Sequence, residues 1–260
     1  MRPLALLSND DGFQSSGIRA LRAALSTFAD VVICAPETEQ SAASHALSLN
    51  KPLRLREVEP SIFAVDGTPA DCVYVAIHSN RVLPRKPDLV VSGVNHGLNL
   101  GQDVFYSGTV AAAREGALRG FPALASSAHP NANFEDVARV TAMLAEQMVG
   151  VKRGASGGLL LSVNFPRTWS SLRATRLGAR AYEELVDFRK DPRGREYLWI
   201  GGPTVQHVHA PGTDTEAYEE GAVSVTPLLL DATDHAYGSE LNALVSSFEL
   251  EMKLGERKSG

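Results

Sequence analysis

Two adjacent carboxylates, Asp10 and Asp11, stand in the segment Ser8-Asn9-Asp10-Asp11-Gly12, directly after a short apolar run that begins at Pro3. Two unit charges about 5 Å apart repel by roughly 3 kcal/mol at an effective dielectric of about 20, so the bare pair also repels any phosphate. A divalent ion reverses the sign. Two carboxylates neutralise it formally, and its remaining positions take neutral oxygens, water and a phosphate oxygen, which suits Mg2+ or Mn2+ better than the nitrogen and sulfur sites of structural zinc. The plainer reading of the same residues is a turn at Asp11-Gly12 with Asp10 as a helix cap, and the pair alone does not separate the two. A second polar loop, Pro36 to Ser48, offers Ser41, Ser44 and His45. An N-cap at Ser41 and a surface position for His45 are their ordinary readings. The third, Gly-rich loop carries Asn95 and Asn99 and ends in Ser107, Gly108 and Thr109 before an Ala-rich stretch. A helix opening on those three residues presents amides and hydroxyls to an anion without needing a cationic side chain, although a plain N-cap explains Ser107 taken singly.

Each loop follows a segment that reads as a buried strand. Pro3–Ser8 is followed by helical spacing through Ile18, Leu21, Leu25 and Phe28, and Asp30–Ala35 is a β-branched run stopped by Pro36. Leu89–Ser92 leads through the third loop to a helix over Gly108–Leu118, then a strand at Pro122–Ser126 and a helix around Phe134–Met148. Such alternation predicts an α/β fold, a Rossmann-like, doubly wound and mainly parallel sheet with ligand sites beyond the carboxyl ends of its strands. Between these units, Leu53–Val58 and Ser61–Val65 read as a hairpin inserted in the core, with a helix at Pro69–His78. Residues 1–150 form the catalytic core on this reading. Residues 151–260 supply one more strand from Leu159, an arm and a C-terminal helix at Ser239–Leu250 of the same overall domain. Arg173–Glu220 is charged and weakly periodic, which reads as lying outside the core. Tyr197–Ile200 and Val205–His209, separated by Gly201, Gly202 and Pro203, read as a projecting hairpin. His207 and His209 lie one residue apart there, and alternate strand residues share a face without needing a zinc ion to explain them.

The chain has 260 residues, 44% of them apolar, enough for one substantial core. A net charge of -5 offers no general attraction to a nucleic-acid polymer, so any phosphate must be held locally. Cys34 and Cys72 form no CxxC pair and sit in apolar stretches, as buried thiols of a reducing compartment do. The opening MRPLALL is too short for a signal-peptide core and no later run is long enough to span a bilayer, so a cytoplasmic protein that does not enter membranes is expected.

The segments NDDG with a following SxGI, APExEQSA, DGTPADCV, SGVNxGxNxG and YSGTVxAAxEGA resemble SurE, the survival protein E nucleotidases, over Met1 to about Ser127. The resemblance implies hydrolysis of nucleoside 5'- and 3'-monophosphates, in some members also of short polyphosphate, with one divalent ion, Mg2+ or Mn2+. It implies metal ligands at Asp10, Asp11, Ser41 and Asn95, with Asp10 and Asp11 also the catalytic pair, and a phosphate segment at Ser107, Gly108 and Thr109 with Asn99 nearby. His96 falls where members vary and carries no implied role. The family is similarly a homo-oligomer, dimer or tetramer, built by exchange of C-terminal elements, which fits an arm outside the core. Either aspartate can accept the proton of the attacking water, and His45 is a candidate to protonate the departing oxygen. A receiver-like signalling domain also gathers acidic residues at strand ends, but is far shorter and needs a lysine after a later strand. A metal-dependent nucleotide-binding scaffold without turnover is the other competing expectation.

Overall fold

All five residues of β1, Leu4–Ser8, are buried, and alternate side chains enter two different cores, Ala5 and Leu7 one and Leu4 and Leu6 the other. A strand apolar on both faces needs cover on both sides, and this dictates the layering. The chain continues through α1 (Ser16–Leu25), β2 (Asp30–Pro36), β3 (Leu55–Glu59), β4 (Ile62–Val65), α2 (Pro69–His78), β5 (Leu89–His96), α3 (Gly108–Leu118), β6 (Ala123–Ala128), α4 (Phe134–Met148) and β7 (Leu160–Phe165). Then come β8 (Ser171–Ala174), β9 (Ala179–Tyr182), β10 (Val186–Lys190), β11 (Glu196–Ile200), β12 (Val205–Val208), α5 (Asp214–Glu219), β13 (Ala222–Pro227) and α6 (Gly238–Glu256). This computed structural model describes residues 2–151, 157–182, 185–200, 205–208 and 210–256, with the backbone alone at 181–182, 205–208, 235 and 249–256. It forms two units, Met1–Leu230 and Asp231–Gly260.

In the first unit, Ile18 and Leu21 of α1 and Val137 and Ala142 of α4 close the core on the Leu7 face. Val73 of α2 and the alanines of α3 close the Leu6 face. The main sheet has the order β3-β4-β2-β1-β5-β6-β7-β13-β8. It is parallel from β4 to β7, with β3 and β13 antiparallel to β4 and β7. This is the expected Rossmann-like, mainly parallel arrangement. From β1 the chain moves outward through β2 in one direction, and from β5 through β6 and β7 in the other. The strand order therefore switches between β1 and β5, whose carboxyl ends flank a natural ligand crevice.

One expectation needs refinement and two need correction. The expected hairpin at Leu53–Val58 and Ser61–Val65 is present as β3 and β4, and what the expectation missed is that it extends the main sheet, β4 pairing with β2 in parallel and β3 forming its edge. Arg173–Glu220 is not wholly outside the core: β8 joins the sheet, and Thr213, Asp214 and Thr215 are fully buried. In the arm, Glu196–Ile200 pairs with β10 rather than with Val205–Val208, which pairs with β9. The turn Asp191-Pro192-Arg193-Gly194 explains this, because the Asp191 carboxylate accepts from the N–H groups of Arg193 and Arg195 at 2.8 and 2.9 Å and reverses the chain there. Of the two arm histidines, His207 is described in its backbone only and His209 lies outside the described residues. Cys34 and Cys72 are buried and reduced. Among the described residues, no helix is long and apolar enough to cross a membrane.

Candidate active site

The loop after β1 is closed by Asn9, whose buried amide donates to Gly12 O at 2.9 Å and Ser15 Oγ at 2.8 Å, and Ser15 then caps α1. This turn carries Asp10 toward the start of α3, where the Thr109 hydroxyl donates to Asp10 Oδ1. The approach depends on Gly108, since a Cβ there would lie 2.8 Å from Asp10 Cβ and 3.0 Å from the Pro69 ring. Asp11, half-buried, accepts the His96 N–H on Oδ2 at 3.3 Å, tying the ends of β1 and β5 together. Asn95 is aimed by a slip in the β5–β6 register between Ser92 and Asn95, the usual effect of an irregularity at a strand end.

The loop after β2 reaches the same place. Gln40 N–H donates to Asp10 O at 2.8 Å. Ala42 and Ser44 adopt φ of 57° and 53°, a left-handed conformation that costs energy in residues other than glycine. Ser44 repays it with two bonds to the 3-10 turn before α3, N–H to Tyr106 O at 3.0 Å and Oγ to Phe105 O at 2.6 Å. Asp71 supports the loop from behind, accepting Ser48 N–H at 2.8 Å while completing the capping box of Thr68 at the start of α2.

Asp10, Ser41 and Asn95 line one cavity, with Asp11 beside it through His96, and each of the four has one bond that fixes it. Asp10 and Asp11 hold Thr109 and His96 as above. Ser41 Oγ donates to Glu39 at 2.7 Å and Asn95 Nδ2 donates to Gly97 O at 3.0 Å. With the Ser41 proton and the Asn95 amide nitrogen engaged elsewhere, the Ser41 lone pairs and Asn95 Oδ1 remain to accept. Two carboxylates with two neutral oxygens fit a hard divalent cation, and among the described residues no group of three His, Cys, Asp or Glu side chains competes as a metal site. Burial pushes the Asp10 carboxyl up to about 6; the Thr109 hydroxyl opposes this and the neighbouring Asp11 charge reinforces it. Asp11 is also raised by burial, against the opposing His96 N–H. A cation in the crevice relieves both.

These donors open into a cavity of 820 Å³, whose wall includes Asp10, Ser41, Asn95, His96, Asn99 and Ser107. Asp11 adjoins it through His96. Gly108 and Thr109 are buried behind Asp10 and are not among the residues lining the cavity, and the Thr109 hydroxyl serves the carboxylate. Ser107 is the N-cap of α3, its Oγ accepting Val110 N–H at 3.1 Å. Asn99 is held from the neighbouring strands: Asn164 Oδ1 accepts its N–H and Ser127 Oγ its side-chain amide, both at 2.7 Å. Neither partner was nominated from the sequence. The available signal was a polar residue inside a buried apolar strand, which must find a hydrogen bond. His45 lies elsewhere. Its Nε2 is 2.9 Å from Oε2 of Glu115, seven residues into α3 and about 10 Å along the axis from its first turn. His45 is not among the residues lining the cavity, and its bond to Glu115 braces the loop against α3.

A family model described as survival protein SurE matches residues 5–184. The chain is 61% identical over 236 residues to the 5'-nucleotidase SurE of Sorangium cellulosum, spanning 89% of this chain and 91% of that protein. It is 48% identical to the 5'-nucleotidase SurE of Myxococcus xanthus over 88% of each. The crystal structure of the SurE protein from Aquifex aeolicus superposes with a TM-score of 0.79 at 38% identity, covering 93% of this chain and 99% of that one. By sequence and by fold, the chain belongs to the SurE family.

Proposed function

We propose that the protein is a divalent-metal-dependent phosphomonoesterase that releases phosphate from nucleoside 5'-monophosphates, and with the same site from 3'-monophosphates and short polyphosphate. The observation that carries this reading is that Asp10, Ser41 and Asn95 line one cavity together with Ser107, the N-cap of α3, while Asp11 adjoins it through His96: oxygen donors suited to a cation beside a helix start suited to an anion. The names of the relatives at 61% and 48% identity, 5'-nucleotidase, support the substrate class. Asp10, Asp11, Ser41 and Asn95 hold the ion, which when bound supplies Lewis-acid polarisation of the phosphate and a water of lowered pKa.

The chain's own residues do the rest. Ser107 and the N–H groups of Gly108 and Thr109 orient phosphate oxygens at the positive end of α3. Asn99, immobilised by Asn164 and Ser127, adds a fixed polar contact on the same wall. Asp10 or Asp11 accepts the proton of the attacking water. Self-association as a dimer or tetramer completes the reading, with no nucleic-acid polymer as partner given the net charge of -5. Purified protein incubated with AMP or 3'-AMP and Mn2+ is expected to release phosphate, to stop on chelation and to resume when Mn2+ or Mg2+ is restored. Absence of release with every nucleotide, or activity that survives both chelation and Asp11→Ala, overturns the proposal.

A further inference from the structure

The cavity is larger than a cation and a phosphate require, and its two ends differ in chemistry. The end described above is polar. The rest of the wall carries Leu98 and Tyr106 from the loop between β5 and α3, and Leu185, Val186 and Ile200 from the root of the arm. Val186 and Ile200 are direct cross-strand partners in the β10–β11 ladder, so they stand side by side. Four of these five side chains are exposed, Tyr106 at 67%, Leu185 at 44%, Val186 at 49% and Ile200 at 85%. Aromatic and branched apolar groups gathered around a cavity continuous with a phosphate site are what a ligand with an apolar body and an anionic end would cover. Among the described residues, the Lys or Arg side chain on this wall is Arg180, and it is ion-paired with Asp103, which fastens the arm root to the 3-10 turn at Gly101–Phe105. The root is further fixed by buried Asp214, whose carboxylate accepts the N–H of Gly178 at 2.7 Å and of Gly101 at 2.9 Å.

We infer that the root of the β10–β11 hairpin is the nucleoside-recognition wall of the site: Val186 and Ile200, facing the cavity with Tyr106, cover the base and ribose of the substrate whose phosphate lies at α3. This rests on the nucleotidase reading. It adds that preference for nucleotides over other phosphate esters resides in the arm. The polar end alone sees only a phosphate monoester, and treats AMP and ribose 5-phosphate alike.

The test compares kcat/KM for AMP and for ribose 5-phosphate, with Mn2+, in the full-length protein and in the double variant Val186→Ser/Ile200→Ser. Both positions are exposed, so folding is expected to persist, and thermal unfolding checks it. Phe188→Ser, exposed on the same strand but absent from the cavity wall, controls for general damage to the arm. The wild type is expected to favour AMP by at least about tenfold, and the double variant to lose about 10- to 100-fold for AMP, mostly through KM, the scale on which apolar pockets discriminate. Phe188→Ser keeps the wild-type ratio. A wild type indifferent to the base, or a double variant that loses equally on both esters, overturns the inference while leaving the phosphatase intact. Should neither ester be hydrolysed, the underlying reading fails instead. Adenosine binding by calorimetry then decides the wall separately: about tenfold weakening in the double variant supports it and unchanged affinity overturns it.

Discussion

Asp10 is 5% exposed and sits against the first turn of a helix, so burial disfavours its charged form while the Thr109 hydroxyl and the helix end oppose that. The sequence made the acidic pair visible, because two adjacent carboxylates after an apolar run are unusual in type and place. It did not reveal that Thr109, nominated for phosphate, spends its hydroxyl on Asp10; that contact joins residues 99 apart and has no local pattern. Thr109→Val keeps the shape and removes the bond. It is expected to weaken Mn2+ binding by about 10- to 100-fold, as loss of a group that orients a metal ligand does, measured by titrating phosphate release against the metal. Unchanged metal affinity would count against Asp10 as a ligand. Gly108 is demanding for a different reason. Its φ is ordinary, but a Cβ would meet Asp10 Cβ at 2.8 Å and Pro69 Cγ at 3.0 Å, backed by two rigid elements. Gly108→Ala should therefore destabilise by about 1–3 kcal/mol, the usual cost of forcing atoms into a packed site, and displace Asp10, with activity falling further than stability. An active, fully stable variant would show that the helix start yields more easily than its packing implies.

Among the elements, α2, α3 and α4 were legible to the residue because each begins at a side chain that caps it: Thr68 before Pro69, Ser107 and Asn133. β13 was not legible, since Ser224 and Thr226 are buried polar residues that break the look of a core strand. Nor was α5, at six residues too short to show a helical period. The brace between α3 and the loop after β2 was hidden for the same reason as Thr109: it spans 70 residues. Glu115 is 1% exposed, bonded to His45 and at 2.6–2.7 Å to Arg119, which lies over the Tyr74 ring of α2. Burial alone would raise its carboxyl, but the bonds from His45 and Arg119 prevail and hold it below its ordinary value of 4.5. A carboxyl lowered in the folded state adds stability that is fully present above the unfolded value and is lost as pH falls through the folded one. Glu115→Gln should thus cost about 1–3 kcal/mol at pH 7 and flatten the decline of stability below about pH 4.5 that the wild type shows. Urea unfolding at intervals between pH 7 and pH 3.5 measures both. Parallel curves for variant and wild type would mean that Glu115 is neutral in the folded protein.

At the scale of the whole molecule, the parallel sheet brings loops from residues 9–12, 37–50 and 93–109 to one edge, which is why three unremarkable polar segments became one site. That convergence was readable from the β-loop-α rhythm. The surface of the arm was not, because its strands were paired wrongly from sequence and their exposure depends on the pairing. Phe188, Leu198 and Trp199 on the β10–β11 hairpin are each about half exposed or more. In the second unit, α6 carries Leu241, Leu244, Val245 and Phe248, all more than 45% exposed, at the spacing of one helical stripe. Clustered apolar side chains of this kind are what copies of the chain would cover in a symmetric assembly, the self-association proposed above. Light scattering coupled to size exclusion should then give a multiple of the 27.8 kDa chain mass at micromolar concentration. Leu244→Glu/Phe248→Glu, which places charge in the middle of the stripe, should shift the population toward a smaller species. A wild type that runs as a single chain removes the self-association reading. An assembly untouched by the double variant assigns it to surfaces other than α6. The proposed metal site would draw all four of its donors from residues 10–95, so phosphate release per chain serves as an independent readout of how far assembly and catalysis are coupled.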